Sequence, residues 1–205
     1  AGVSWPAGAM RNWLSAGKHF LVYPVRAGQF LNYVGFVPTD EQMKESWSAP
    51  GDPAALAQEF AGWDPLVEAI IARVDTTFRW GLYDREPLPR WTRGRLTLLG
   101  DAAHPMLPHV GQGANQAIED GVALAAVLCN AGRATVPEAL LVYESVRRER
   151  TARVQRFARV NGARYDAGGG DLSTRNSQLA GQSRERAWIW DYDAEAEAAA
   201  AMAAH

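Results

Sequence analysis

Cysteine is nearly absent from this chain: Cys129 is the only one in 205 residues, which excludes an internal disulfide framework and points to a reducing compartment. No run approaches the roughly 20 apolar residues that cross a bilayer, and the first residues lack the basic-then-apolar order of a secretory leader. An excess of either charge is also missing. Lys and Arg number 21 against 23 Asp and Glu, a net charge of −2, so neither nucleic acid nor an acidic membrane is an expected partner. There is no GxSxG, which removes the nucleophile-elbow hydrolases, and no internal repeat. Apolar residues are plentiful at 47%, enough for a sizeable core. The expectation is a cytoplasmic globular protein.

Along the chain, His19 to Val25 and Gln29 to Val37 read as strands joined by the hairpin turn Arg26-Ala27-Gly28. Pro53 to Phe60 and Pro65 to Val74 have helical spacing, with Asp52 and Asp64 as N-caps before a proline at the first helical position. Thr76 to Tyr83 reads as a further strand, and the proline-bearing DREPLPRW (Asp84 to Trp91) leads out of this layer, with a domain boundary near Pro87 to Trp91. Thr135 to Glu138 has the capping-box pattern and starts a helix through Leu140, Leu141, Tyr143 and Val146 into an arginine-rich stretch. Gly168 to Gly170 reads as loop, and Ala194 to Ala204 as a frayed helix or disordered tail.

The segment from Gly94 to Leu128, GRLTLLGDAAHPMLPHVGQGANQAIEDGVALAAVL, carries the most information. Leu96 to Leu99 suits a short buried strand, with Gly100-Asp101 at its carboxyl end, where open α/β sheets bind ligands. A carboxylate there accepts hydrogen bonds from a sugar or polyol hydroxyl. Gly111-Gln112-Gly113 then opens a helix whose apolar positions are Ala117, Ile118, Val122, Leu124, Ala125 and Leu128. It ends near Asn130-Ala131-Gly132, and its alanines imply close packing against a sheet. Two glycines let backbone approach a ligand, and the unpaired N–H groups of a helix start favour negative charge by about 0.3 to 1 kcal/mol. A GxG alone would more simply be a tight connection without a ligand; the whole run is more specific.

GDAAHPMLPHVGQGANQAIED (Gly100 to Asp120) resembles the second FAD-binding motif of the class A flavoprotein monooxygenases, the single-component aromatic hydroxylases, nearest the branch with salicylate and 3-hydroxybenzoate 6-hydroxylases. The likeness extends through DREPLPRW and, more weakly, through YESVRRER and WIWDYDAE. It implies that Asp101, following Gly100, holds the ribityl chain of FAD, while Pro108, Gly111, Gln112, Gly113, Ala114 and Asn115 lie along the isoalloxazine ring. The implied fold is α/β, with α+β character in these residues: 1–88 a partial substrate-binding layer of sheet and helices, 89–170 the C-terminal part of a Rossmann-like FAD-binding domain, 171–205 a helical or disordered tail. No GxGxxG follows an N-terminal strand to seat the ADP part of FAD. The family's DG motif is missing too, so the resemblance implies the C-terminal portion of a longer protein, inactive alone.

Three clusters invite a chemical reading. The arginines from Arg147 to Arg159 suggest a nucleic-acid patch, but Phe157 is their only aromatic neighbour, and a charge run on a long helix is ordinarily solvated or internally paired. Asp101, His104 and His109 match no common zinc spacing, so no metal is expected; His104 belongs to the GDAAH signature as a structural residue. His19, Leu21 and Tyr23 share one face of a strand, and an imidazole beside a polar-tipped aromatic suits a phenolic substrate whose proton histidine takes. The resemblance agrees, since an HxxxY pair contacts the substrate phenol in related enzymes and HFLVY has that spacing. It also places His109 beside the substrate, where it tunes substrate choice.

Taken together, the resemblance implies a hydroxylase of a phenol or aromatic acid that uses FAD, NADH or NADPH, and O2, its flavin C4a-hydroperoxide delivering one oxygen. His19, Tyr23 and His109 are the expected catalytic residues. Two alternatives stay open: a truncated, non-catalytic relative that binds an aromatic ligand or a protein partner, and a flavoenzyme that oxidises without inserting oxygen. Ring position, choice of nicotinamide and oligomeric state are not encoded in these residues.

Overall fold

The computed structural model describes residues 5–39, 46, 48–167, 177 and 186–204. They fall into two compact units, Ala1–Leu82 with Tyr165–Gly169, and Tyr83–Arg164 with Gly170–His205. The mixed sheet and helix content agrees with the expected α/β class.

In the first unit, β1 (Arg11–Ser15), β2 (Lys18–Val25) and β3 (Phe30–Phe36) form an antiparallel sheet in that order. The turn between β2 and β3 lies where the sequence puts it, with Arg26 and Ala27 at φ 49° and 53° and Gly28 at 84°. Side chains alternate across β2. Phe20 and Val22 are fully buried on one face, packed with Phe60, Val67, Ile70 and Ile71. Gly35 is required there because a Cβ would lie 2.8 Å from the Phe60 ring. The residues between, His19, Leu21 and Tyr23, take the opposite face.

The two expected helices are present as α1 (Pro53–Glu59) and α2 (Pro65–Ile71). Asp52 and Asp64 cap them by accepting from the N–H of Ala54 at 2.9 Å and of Leu66 at 2.8 Å. The expected strand from Thr76 to Tyr83 shrinks to β5 (Thr77–Phe78), paired with β4 (Pro50–Gly51). Pro50, opposite Phe78, has no N–H to donate, which weakens the ladder there, although Arg79 N still reaches the Ala49 carbonyl at 3.1 Å.

The second unit is helical. α3 (Gly113–Leu128), α4 (Val136–Asp166), α5 (Ala187–Trp190) and α6 (Ala194–Ala203) accompany two short 3-10 turns, Gly100–Ala102 and Pro108–Val110. Two expectations are corrected here, and of the two alternatives for the tail the helix holds. Leu96 to Leu99 forms no strand: the backbone at Leu99 is extended, but only an isolated Arg93–Leu96 bridge occurs, and Leu96 and Leu99 are 63% and 43% exposed. An extended run becomes a strand only beside a neighbour, and among the described residues this unit contains no strand. The alanines of α3 therefore pack against helices: Ala123 and Val127 meet Ala139, Tyr143 and Ala198 in one core with Trp91. Lastly, Ala194 to Ala203 is a capped helix, with Asp193 accepting from the Ala196 N–H at 2.9 Å and Ala198 fully buried. Its small side chains let it pack closely into that core.

At Thr135 the hydroxyl donates to the Gly132 carbonyl at 3.1 Å, securing the turn ahead of α4. The glycine triplet Gly168 to Gly170, most of 171–185 and His205 lie outside the described residues.

Candidate functional site

The turn and helix start of the Gly100 to Asp120 run come together as a polar ledge. Asp101 is exposed on the first 3-10 turn, and a Cβ built on Gly113 would lie only 3.8 Å from its Oδ1. Asp101 thus stands beside the start of α3. Gly111, at φ +62°, lets the chain reverse after Pro108–Val110 with open space around it. The first intrahelical bond of α3 runs from Gln116 N to Gln112 O, so the amides of Gly113, Ala114 and Asn115 are those a helix start leaves for a ligand. Ala114 and Asn115 are exposed; Gln112 is buried, and its Nε2 has no partner among the described residues. A carboxylate for hydroxyls, a set of amide donors and an orphaned buried amide suit a polyol carrying an electron-rich ring. FAD fits that donor set.

Behind the ledge lies an ion-pair system that the sequence did not disclose. Asp120, fully buried, accepts from Gly100 N at 2.8 Å and His104 Nε2 at 2.6 Å through Oδ2, and from Arg147 Nε at 2.8 Å through Oδ1. Burial alone would raise its pKa; the His104, Gly100 and Arg147 donors outweigh that and hold it below the ordinary value. His104 is therefore structural, as expected. Glu119 joins Arg147 to Arg150 with contacts of 2.7 Å, and burial is likewise outweighed by those two arginines, leaving its pKa low. Arg150 lies 3.7 Å from the Tyr192 ring centroid and Arg153 3.8 Å from that of Trp188. Arg159 pairs with Asp84 and Glu86. The arginine run is thus paired with carboxylates or stacked on rings within the chain. Among the described residues no group of His, Cys, Asp or Glu has the arrangement to hold a metal ion, and no helix is long and apolar enough to cross a membrane.

His109 is half-buried on the second 3-10 turn, and its ring rests on Gly162 of α4. A Cβ at Gly162 would lie 2.6 Å from the His109 ring, which explains a glycine inside a helix that would otherwise favour alanine. Nothing in the sequence spacing pairs these two residues.

On β2, His19 is 2% exposed. Its ring stacks on Phe36, with centroids 4.0 Å apart and planes at 15°, and Tyr165 lies 5.4 Å away. Nδ1 donates to Asp166 Oδ1 at 2.8 Å. Burial lowers the His19 pKa and Asp166 opposes this, the balance remaining below the usual value. Gly17 N donates to the Asp166 carbonyl at 2.9 Å and ties this end of α4 to the β1–β2 turn. Tyr23 is half-buried on the same strand. Asp166, 147 residues from His19, had no sequence signal.

Residues 8–158 match the family model described as FAD binding domain. The chain is 37% identical over 180 residues to 3-amino-4-hydroxybenzoate 2-monooxygenase from Streptomyces platensis, covering 86% of this chain and 45% of that protein. It is 42% identical over 151 residues to 6-hydroxynicotinate 3-monooxygenase from Bordetella bronchiseptica, covering 73% and 39%. Among solved structures, a salicylate hydroxylase substrate complex superposes with a TM-score of 0.81 at 34% identity, over 94% of this chain and 49% of that one. The chain thus spans under half the length of these relatives. With the ledge fitted to a flavin and the match running through it, the chain belongs to the FAD binding domain family.

Proposed function

We propose that this chain is the C-terminal portion of an FAD- and NAD(P)H-dependent monooxygenase that hydroxylates a phenol or aromatic acid with O2. The observation that carries the reading is the Asp101 carboxylate beside the start of α3, within a chain of this family. Asp101 and Gly100 take the ribityl side, and Pro108, Gly111, Gln112, Gly113, Ala114 and Asn115 the ring side. When bound, the flavin supplies the oxygen-activating chemistry. Residues 1–88 serve the substrate, 89–170 the flavin, and 171–205 form the tail. A cytoplasmic location belongs to the same proposal, supported by the lone thiol of Cys129, exposed on the surface.

The chain's own contribution is proton management. Asp166 orients the His19 ring through Nδ1, and His19 is the base that takes the substrate's hydroxyl proton. Removing that proton raises electron density at the ring carbons ortho and para to the oxygen. The imidazolium that forms is opposed by the Asp166 carboxylate, and the Phe36 and Tyr165 rings keep water from it. Tyr23 and His109 orient the substrate, and the identity of residue 109 tunes which acid is accepted.

The test uses the full-length protein. His19→Ala and Tyr23→Phe are expected to slow hydroxylation by about 100-fold or more, the scale of general-base catalysis, while flavin titration stays near wild type. Wild-type turnover in both variants rejects the assignment, and absence of label from 18O2 in the product rejects hydroxylation.

A further inference from the structure

The turn bearing Asp101 is seated on α3 through one helical face. Gly113 faces Asp101, Ala117 lies beneath Gly100, where a Cβ would approach the Ala117 Cβ to 3.3 Å, and Asp120 receives the Gly100 N–H. Positions 113, 117 and 120 fall on one side of a helix. Gly100 also takes a left-handed φ of +58°, so close approach and backbone conformation both demand glycine.

Asp120 Oδ2 receives both ends of this turn, Gly100 N at 2.8 Å and His104 Nε2 at 2.6 Å. Within it, the N–H groups of Ala103 and His104 both reach the Gly100 carbonyl at 2.9 Å. The other carboxylate oxygen is held by Arg147 of α4. Every one of these partners is buried, while Asp101, inside the loop they close, points to solvent. A fully buried carboxylate is tolerated only with this density of donors. Two of the three hold the turn's two ends to one oxygen, and the third fixes the carboxylate from the other side.

We propose that Asp120 is a positioning residue of the FAD site: by clamping Gly100 and His104 to a single oxygen, it sets where the Asp101 carboxylate stands over the start of α3. The inference rests on reading Asp101 as a partner of the cofactor. Asp120 itself is fully buried behind the turn. Its effect on FAD passes through Asp101, and that dependence separates positioning from a general contribution to folding.

The experiment is a thermodynamic cycle in the full-length apoprotein, titrated with FAD and followed by quenching of flavin fluorescence, with thermal unfolding measured beside it. Asp101→Ala and Asp120→Asn are each expected to weaken FAD binding by about tenfold or more, the worth of a charge-assisted hydrogen bond. The double variant is expected to bind no more weakly than Asp101→Ala alone. Wild-type affinity in Asp101→Ala overturns the underlying cofactor reading. A loss in Asp101→Ala with none in Asp120→Asn, or two losses that multiply in the double variant, overturns the positioning role. If Asp120→Asn does not fold, His104→Leu opens one end of the clamp while Asp120 keeps Arg147. A loss of affinity that disappears in the Asp101→Ala background then supports the proposal, and unchanged affinity or a multiplying loss overturns it.

Discussion

Asp120 and Asp166 each accept a hydrogen bond from a buried histidine ring, at 2.6 Å from His104 and 2.8 Å from His19, yet their surroundings are opposite. Asp120 is fully buried and met by a backbone amide, an imidazole and a guanidinium. The Asp166 side chain is 42% exposed and sits at the end of a helix. The first pair has its charge neutralised in place and holds a turn. The second leaves a carboxylate at the edge of water against an imidazole whose pKa burial already pushes down, which suits a proton that comes and goes. Similar distances therefore carry different meanings: what decides is how many donors surround the acid and whether solvent reaches it.

The largest effect that would sharpen this contrast is expected from Arg147→Ala. It leaves Asp120 and Glu119 without their shared partner and should cost about 3 to 5 kcal/mol of stability, read by denaturant unfolding of the full-length protein. Because the Asp120 pKa is depressed in the folded state, its contribution is complete above the ordinary carboxylate value near pH 4 and is lost as pH falls through the depressed one. The variant should show a flatter acid dependence than wild type. A cost below about 1 kcal/mol would break the contrast, since an exposed pair loses that much.

An intermediate effect is expected at Gly162. Alanine is favoured over glycine inside a helix by about 1 kcal/mol, but the added methyl would meet the His109 ring at 2.6 Å. The clash should win, with a net loss of about 1 to 3 kcal/mol, relieved when His109→Ala is added. Stabilisation by Gly162→Ala alone would show that His109 does not rest there. The smallest effect is expected from Arg156→Ala. Its pair with Glu149 has side chains 53% and 84% exposed, and the unfolding free energy should change by no more than about 0.5 kcal/mol.

Where local chemistry decides structure, the sequence was legible. Asp52-Pro53 and Asp64-Pro65 start helices because a short carboxylate caps the amide two residues on and proline needs no N–H at the first helical position. The alternation of β2 put His19, Leu21 and Tyr23 on one face, and the structure buries Phe20 and Val22 on the other. The Asp101 and Gly111 to Asn115 cluster was legible for the same reason, since loop and helix start are contiguous in the chain. Leu96 to Leu99 misled because apolar, β-branched composition states a preference, and a strand also needs a partner. Asp166 and Gly162 stayed hidden because their partners, His19 and His109, lie far off in sequence.

By itself, then, the sequence determined the capped helices, the two-faced strand, the glycine-bounded turn and the family, because each is written in neighbouring residues or in a long ordered motif. Only the tertiary structure decided that Asp120 and Arg147 close on the turn of Asp101, that Asp166 holds His19, and that the alanines of α3 meet helices. Those outcomes depend on which distant side chains burial brings together, and on the cost of a buried charge that finds no partner.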